Sequence, residues 1–413
     1  MHKWISGFAA AAVLSAGSPA SADTVADWWD FANRVSNAAG VQSGMGTPEN
    51  FRAVSRAALA MFEAVNAIDR RYRSYLDFPA ADGSASQDAA VATAAYKVLL
   101  HHFPAQRSQI EESYALTMQS LGDSPAVAAG REIGEQAAAA AMSAGGVDPA
   151  IAPQPYRPRT TPGEWVATGL PLEPWMVTFR PWVIASAESL RPPPPPALAS
   201  AAWARDYEEV RHFGARASGE RTPYQTLVAR YRQAFDVTPT MRSVAEAPGR
   251  TPVQNARMFA RYHLAMDDAV LAMLAAKFHY NYWRPITAIR NGAADGNDAT
   301  EPDAGWLPLI STPNFPEYPC GHCTVSGAIA EVMTAETGPS PRGGVRVGSL
   351  AIPLSAAQVL PSWDAWADEV NDSRMYGGVH YRFSNEAGEE IGRMAARLVL
   401  ERAIRPLPAR RRR

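Results

Sequence analysis

The chain has 413 residues, 47% of them hydrophobic and 19% charged, with a formal net charge of −2. That composition excludes a disordered chain and argues against nucleic acid or another polyanion as partner, so any anion site has to be local. The length passes the roughly 250–300 residues at which a single core stops growing, so one large core or two smaller ones are expected.

Residues 1–22, MHKWISGFAAAAVLSAGSPASA, have a basic start, an apolar run from Phe8 to Leu14 and a small-residue end, Ala20-Ser21-Ala22. This reads as a secretory leader, with the mature chain beginning near Asp23 and located in the periplasm or outside the cell. The run is shorter than the ~20 residues that span a bilayer, and no later run is long enough either, so the mature chain is expected to have no transmembrane segment. Export makes a disulfide permissible.

Helical periodicity then dominates. Residues 51–77, 87–103, 105–121 and 124–144 read as successive helices with short Pro/Gly/Ser breaks, the pattern of an antiparallel bundle. From about Gly145 to Pro196 the period fails. Trp165, Trp175 and Trp182 in that stretch predict a segment packed across the bundle, and Pro192 to Pro196 a stiff extended spacer. Helices resume at 197–214, 223–236, 253–284, 320–337, 355–373 and 384–404, and residues 405–413 read as a solvated basic tail. The expected fold is all-α, with an N-terminal bundle and Pro/Trp-rich segment over 23–190 and a second bundle over 191–404.

Within 253–284, Phe259, Tyr262, Met266, Val270 and Met273 mark a buried stripe whose next member is Lys277. Arg284 follows seven residues later, close to the same face of a continuous helix, so the two cations are expected to converge. Both snorkelling to solvent is the alternative.

FPEYPCGHCTVSG, residues 315–327, holds both cysteines. Pro319, Gly321 and the apolar run Val325, Ile329, Val332 read as a helix N-terminus, a natural anion site. A thiol redox pair and a zinc site are weaker readings, because no βαβ pattern precedes the CxxC and no second Cys/His pair lies nearby. The cysteines are first read as two thiols at small polar positions, with a local disulfide as the alternative. Further on, Arg374 and His380 flank Gly377-Gly378. Cations, histidines and a helix start from three segments would make a tetrahedral oxyanion site if the fold unites them.

Lys277 with six residues to Arg284-Pro285, then Pro319-Cys320-Gly321-His322, then Ser373-Arg374 with five residues to His380, resembles the three-part signature of vanadium-dependent haloperoxidases and type-2 phosphatidic acid phosphatases. AMFEAVNAIDRRYRSY, the Pro/Trp excursion, RPPPPPALAS and KFHYNYWRPITAIR resemble the secreted bacterial haloperoxidase-like branch, extending the likeness over most of 45–402. The resemblance implies two packed helical bundles with vanadate, or phosphate as competing oxyanion, in the second. It implies that Lys277, Arg284 and Arg374 neutralise equatorial oxygens, that Gly321 donates its backbone N–H, and that Cys320 occupies a further oxyanion-binding position. His380 would be the vanadium ligand or the nucleophile on phosphorus, and His322 the general acid–base, serving best with a near-neutral pKa.

Two positions depart from the signature: Cys320 stands where serine is usual, and Ser384 where an aspartate commonly orients the second histidine. Phe315 falls where halide-oxidising relatives have a residue near the vanadate, with simple loop packing as the alternative. His101 and His102 are adjacent, so they are expected to face different sides of their helix and not to form one ligand pair; His212 and His263 read as packing or capping residues, and so does His279, with a reservation for its place between Lys277 and Arg284. Asp267 and Asp268 read as solvated charges or structural salt-bridge partners, with support of the site as the alternative. The expected function is a vanadate-dependent peroxidase using hydrogen peroxide and a halide or small organic substrate. The alternatives are a phosphatase acting on phosphomonoesters through phospho-His380 and a non-catalytic oxyanion binder. A free thiol at Cys320, prone to oxidation, would favour the phosphatase; a disulfide with Cys323 would remove that objection.

Overall fold

Alanine-rich amphipathic runs, broken where a side chain or proline intercepts the backbone ladder, determine where the helices start and stop. The structure, a computed structural model, describes residues 23–43, 48–148, 156–171, 178–352 and 356–408. The expected leader, Trp175 and the final arginines lie outside the described residues.

The N-terminal half contains α1 (Thr24–Ser43), α2 (Pro48–Ile68), α3 (Gln87–His102), α4 (Arg107–Leu121) and α5 (Pro125–Ser143). Starts are capped where the sequence offers a hydroxyl: Ser86 accepts from the N–H of Ala89, and Ser124 from Val127 with proline in the first turn. Sequence reasoning missed α1, although Val25, Trp28, Trp29, Ala32 and Val35, all buried, trace a helical stripe. The helix expected over 51–77 stops at Ile68. Beyond it the Asn66 side chain accepts from the N–H groups of Arg71 and Tyr72, and Glu63 from those of Tyr75 and Leu76, an alternative to the helix ladder.

The second half contains α6 (Ala201–Phe213), α7 (Pro223–Tyr231), α8 (Thr238–Ala245), α9 (Pro252–Tyr280), α10 (Pro285–Arg290), α11 (Gly321–Thr337), α12 (Trp363–Tyr376) and α13 (Arg382–Arg402). A small antiparallel sheet, unforeseen because its strands are too short to show alternation, joins β1 (Phe235–Asp236), β2 (Val345–Ser349) and β3 (Gln358–Leu360) in that order, with Phe235 opposite Ser349 and Val345 opposite Leu360. The fold is all-α apart from this ribbon.

The helix expected to run to 284 ends at Tyr280, where Asn281 adopts a left-handed C-cap with φ 47°; Arg284 is the N-cap residue of α10. Arg284 therefore does not share a helical face with Lys277. A turn in the chain brings it back to the lysine.

Helix α9 packs on α2 on one side and on α11 and α13 on the other. One continuous core, from Val25 through Phe259 and Ile329 to Ile404, draws on both halves. The Pro/Trp segment is clasped to α9 by two buried aspartates. Asp268 accepts the backbone N–H groups of Trp182 (2.6 Å), Val183 (2.7 Å) and Ile184 (3.0 Å), while Asp267 accepts Trp182 Nε1–H at 2.7 Å and pairs with Arg52 at 3.1 Å. Both are buried rather than solvated, and among the described residues Asp267 forms the expected salt bridge while Asp268 answers backbone N–H groups instead, which corrects its first reading. Tyr280 and Tyr318 hydroxyls donate to the carbonyls of Pro192 and Pro193, pinning the polyproline spacer.

Asp268→Ala leaves three buried N–H groups without acceptors, at about 1–3 kcal/mol each. Chemical denaturation should show a loss of about 3 kcal/mol or more, whereas Asp268→Asn, which keeps one acceptor oxygen, should lose less.

His263, buried on α9, accepts from Trp29 Nε1–H through Nε2 at 2.8 Å, and burial lowers its pKa from 6.5 to about 3. Below pH 6.5 the unfolded chain takes up a proton that the native ring refuses, so stability falls as pH drops from about 6.5 towards 3, by at most ~1.4 kcal/mol per unit. Denaturant titrations of His263→Gln between pH 7 and 4 should have a pH slope shallower by nearly one proton.

Candidate active site

Five parts of the second half converge: the end of α9, the α9–α10 link, the 315–319 loop with the start of α11, the end of α12, and the turn into α13. Close helix contact makes this possible. A Cβ on Gly392 of α13 would lie 2.0 Å from Thr324 O of α11, so only glycine permits this crossing.

Lys277, fully buried, donates from Nζ to the carbonyls of Pro316 (3.0 Å) and Glu317 (2.8 Å). Arg284, also fully buried, approaches the same loop from the link, with Nε on Phe315 O (3.0 Å) and Nη1 on Val379 O (2.8 Å). The Phe315 ring lies against both cations, 5.1 Å from Lys277 Nζ and 5.0 Å from Arg284 Cζ, so it packs on the charges rather than on the loop alone.

Arg374 comes from the last turn of α12 and is 2% exposed. Its Nε and Nη1, like Nη2 of Arg284, are buried donors without a partner among the described residues. Leaving such groups unanswered is costly, so their convergence marks a place built to receive acceptor oxygens. Burial, then repulsion by Arg284, holds Lys277 well below the ordinary lysine range; burial lowers Arg284 to about 10, and burial with Arg284 lowers Arg374 to about 9. Cations crowded in this way are relieved by an anion.

Gly321 opens α11 over this cluster. A Cβ there would meet Met273 Cε at 3.3 Å and Lys277 Cε at 3.9 Å, so the helix N-terminus lies within contact distance of the lysine. Cys320 is the N-cap, its Sγ accepting from Cys323 N at 3.2 Å, and the two cysteines form a disulfide, which corrects the first reading of two thiols. The bonded sulfur has no S–H to donate.

His322, half-buried in the first turn of α11, donates from Nε2 to Gln233 O at 2.9 Å, leaving Nδ1 as its proton-accepting atom. Burial, then Arg374, lowers it to about 3, against the near-neutral value expected from sequence: the ring is neutral while the cations beside it are unbalanced. Gln233, whose carbonyl accepts this bond, also lines an open pocket of roughly 320 Å³ with Arg230, Leu309, Ile310, Ser311, Ala351 and Ile352.

His380 enters from the Gly377-Gly378 turn. Gly378 has φ +75°, and a Cβ on it would lie 2.4 Å from Gly214 O. The ring is 1% exposed, with Nε2 3.1 Å from Arg284 Nη1 and Nδ1 2.7 Å from Glu317 Oε1. Burial and the three cations hold it well below the ordinary histidine range, and burial pushes Glu317 up to about 7 against the pull of Arg284 and Lys277. Sequence reasoning missed Glu317. Its signal was an acid inside a stretch of prolines and aromatics, the same misplaced charge that exposed Lys277.

Lys277, Arg284, Cys320, Gly321, His322, Arg374 and His380 are thus brought together. Other histidines lie elsewhere: His279 is exposed against Tyr280, His212 pairs with Glu208 and Glu220, and His102 faces Arg56 while its neighbour His101 packs edge-on against it.

Residues 257–408, which carry every one of these groups, match the model of the VCPO second helical-bundle domain. The whole chain superposes on the crystal structure of the first bacterial vanadium-dependent iodoperoxidase, with TM-score 0.77 over 93% of this chain and 98% of that one at 23% identity. Its fold is that of the vanadium-dependent haloperoxidases. A bacterial vanadium-dependent chloroperoxidase in its holo form is similar with TM-score 0.66 and 17% identity, covering 86% of this chain and 91% of that one. Vanadium chloroperoxidase of Curvularia inaequalis is 34% identical over 91 residues, which are 19% of this chain and 14% of the relative's own length. Within this haloperoxidase fold the orphan donors are the feature that fits a bound oxyanion.

Replacing Arg374 by Met removes donors that no protein group satisfies, so stability should hold or rise, while affinity for orthovanadate and inorganic phosphate should fall about 10–100-fold, one or two charge-assisted hydrogen bonds. Thermal melts and calorimetric titration separate the two effects.

Proposed function

We propose that this chain is a vanadate-dependent peroxidase of the haloperoxidase type, oxidising a halide or a small organic substrate with hydrogen peroxide. The observation that carries it is the set of partnerless guanidinium donors on Arg284 and Arg374 facing two neutral histidines, on a fold shared along nearly the full length with vanadium-dependent haloperoxidases. Vanadate, when bound, supplies a Lewis-acidic centre that accepts peroxide and polarises it towards the substrate.

Lys277, Arg284, Arg374 and the N–H of Gly321 hold the oxyanion's oxygens and balance charge on them. His380 would ligate vanadate through Nε2, whose lone pair faces Arg284 Nη1 at 3.1 Å. With an anion balancing the cations, the proton affinity of His322 rises from its depressed value, and its Nδ1 takes and returns protons of peroxide. Phosphate, with the same tetrahedral shape, competes for the site. The Cys320–Cys323 disulfide removes the oxidisable thiol that favoured a phosphatase, and it supports the expected periplasmic or secreted location. The leader over 1–22, the N-terminal unit over 23–190 and the site-bearing unit over 191–404 remain part of this proposal.

Protein loaded with orthovanadate should oxidise iodide, and bromide or chloride in a narrower range of conditions, only when peroxide is present. His380→Ala should abolish this, and His322→Ala should lower turnover by about 10²–10⁴-fold while vanadate still binds. Loaded protein that oxidises no halide and no phenol with peroxide defeats the proposal.

A further inference from the structure

The three-part signature commonly has an aspartate four residues after its second histidine, and this chain has Ser384. We infer that Glu317, on a different element, takes over that aspartate's task as the positioning residue of His380, and that the two positions are interchangeable. The inference rests on the oxyanion-site reading above.

A neutral imidazole carries one proton, and the partner of one nitrogen decides which nitrogen is left bare. Ser384 Oγ is 3.5 Å from His380 Nδ1, too far for a firm bond, whereas Glu317 Oε1 is at 2.7 Å. The same oxygen accepts the N–H of Tyr381 at 3.2 Å, which fixes the carboxylate against the backbone next to the ring. Glu317 is itself held at both backbone ends: its N–H donates to Tyr282 O at 2.8 Å, and its carbonyl accepts from Lys277 Nζ at 2.8 Å. The proton is therefore kept on Nδ1, and the Nε2 lone pair is presented to the arginine cluster. Both histidines of the site then answer to one short segment, Glu317 to His322.

Glu317→Ala, Glu317→Gln and the double variant Glu317→Ala/Ser384→Asp are to be compared with the parent full-length chain. Calorimetric titration of orthovanadate gives affinity, and long-range proton–nitrogen spectra without vanadate give the His380 tautomer. Glu317→Ala should bind vanadate about 10–100-fold more weakly, the usual cost of losing a ligand's hydrogen-bond partner, and should populate the Nε2–H tautomer. Glu317→Gln, which keeps an acceptor oxygen but loses the charge, should keep the tautomer and lose about 10-fold in affinity. Adding Ser384→Asp to the alanine variant should restore the Nδ1–H tautomer and recover affinity, which a merely structural role for Glu317 would not do. Unchanged affinity and tautomer in Glu317→Ala, or a double variant no better than the single one, overturns the inference. If the alanine variants fail to fold, Glu317→Gln decides alone, with unchanged affinity overturning it. A parent chain that binds no vanadate would sink the oxyanion reading, while the tautomer spectra would still test Glu317.

Discussion

Three long cationic side chains buried within reach of one another set the terms for the rest of this protein. Among the described residues their desolvation is not repaid by an equal number of carboxylates; there Glu317 is the one acid placed against them, and loop carbonyls of Phe315, Pro316, Glu317 and Val379 answer part of the rest. Such an arrangement survives only inside a scaffold stable enough to hold like charges together. The shared core, the close crossing of α11 and α13, and the clasped Pro/Trp segment supply that scaffold.

The way the cations are answered also gives the site a shape. Carbonyls answer part of each cation and leave particular N–H groups open, so the hydrogen-bonding capacity left over has a shape as well as a charge. A tetrahedral or bipyramidal oxyanion matches donors that come from three directions. A planar carboxylate would answer only one fork.

The class of fold was readable because helical periodicity is local: alanine-rich stripes, prolines at first turns and serines at caps are decided within a few residues. The site was readable for a different reason. Lys277 and Glu317 are charges set among apolar neighbours, and both lie buried in the structure, although only the lysine was recognised as such; Arg374 was legible instead from its place before the Gly377-Gly378 turn. What failed was geometry fixed by non-local partners. Arg284 was placed on the end of α9, yet Asn281 turns the chain and the loop carbonyls collect the arginine. The residues after Ile68 kept a helical pattern, but Asn66 and Glu63 intercept their N–H groups. The strands are so short that only their pairing partners define them, and the state of two cysteines depends on how a helix start holds their sulfurs.

Helix α9 carries a consequence for how such proteins are divided. Its 29 residues begin at Pro252, and the family-level similarity begins at 257, inside its second turn, while α2 covers one flank of the same helix. The unit that sequence comparison recognises is therefore cut through a helix whose other side belongs to the N-terminal half. The boundary drawn by similarity and the boundary drawn by packing therefore fall in different places along this helix.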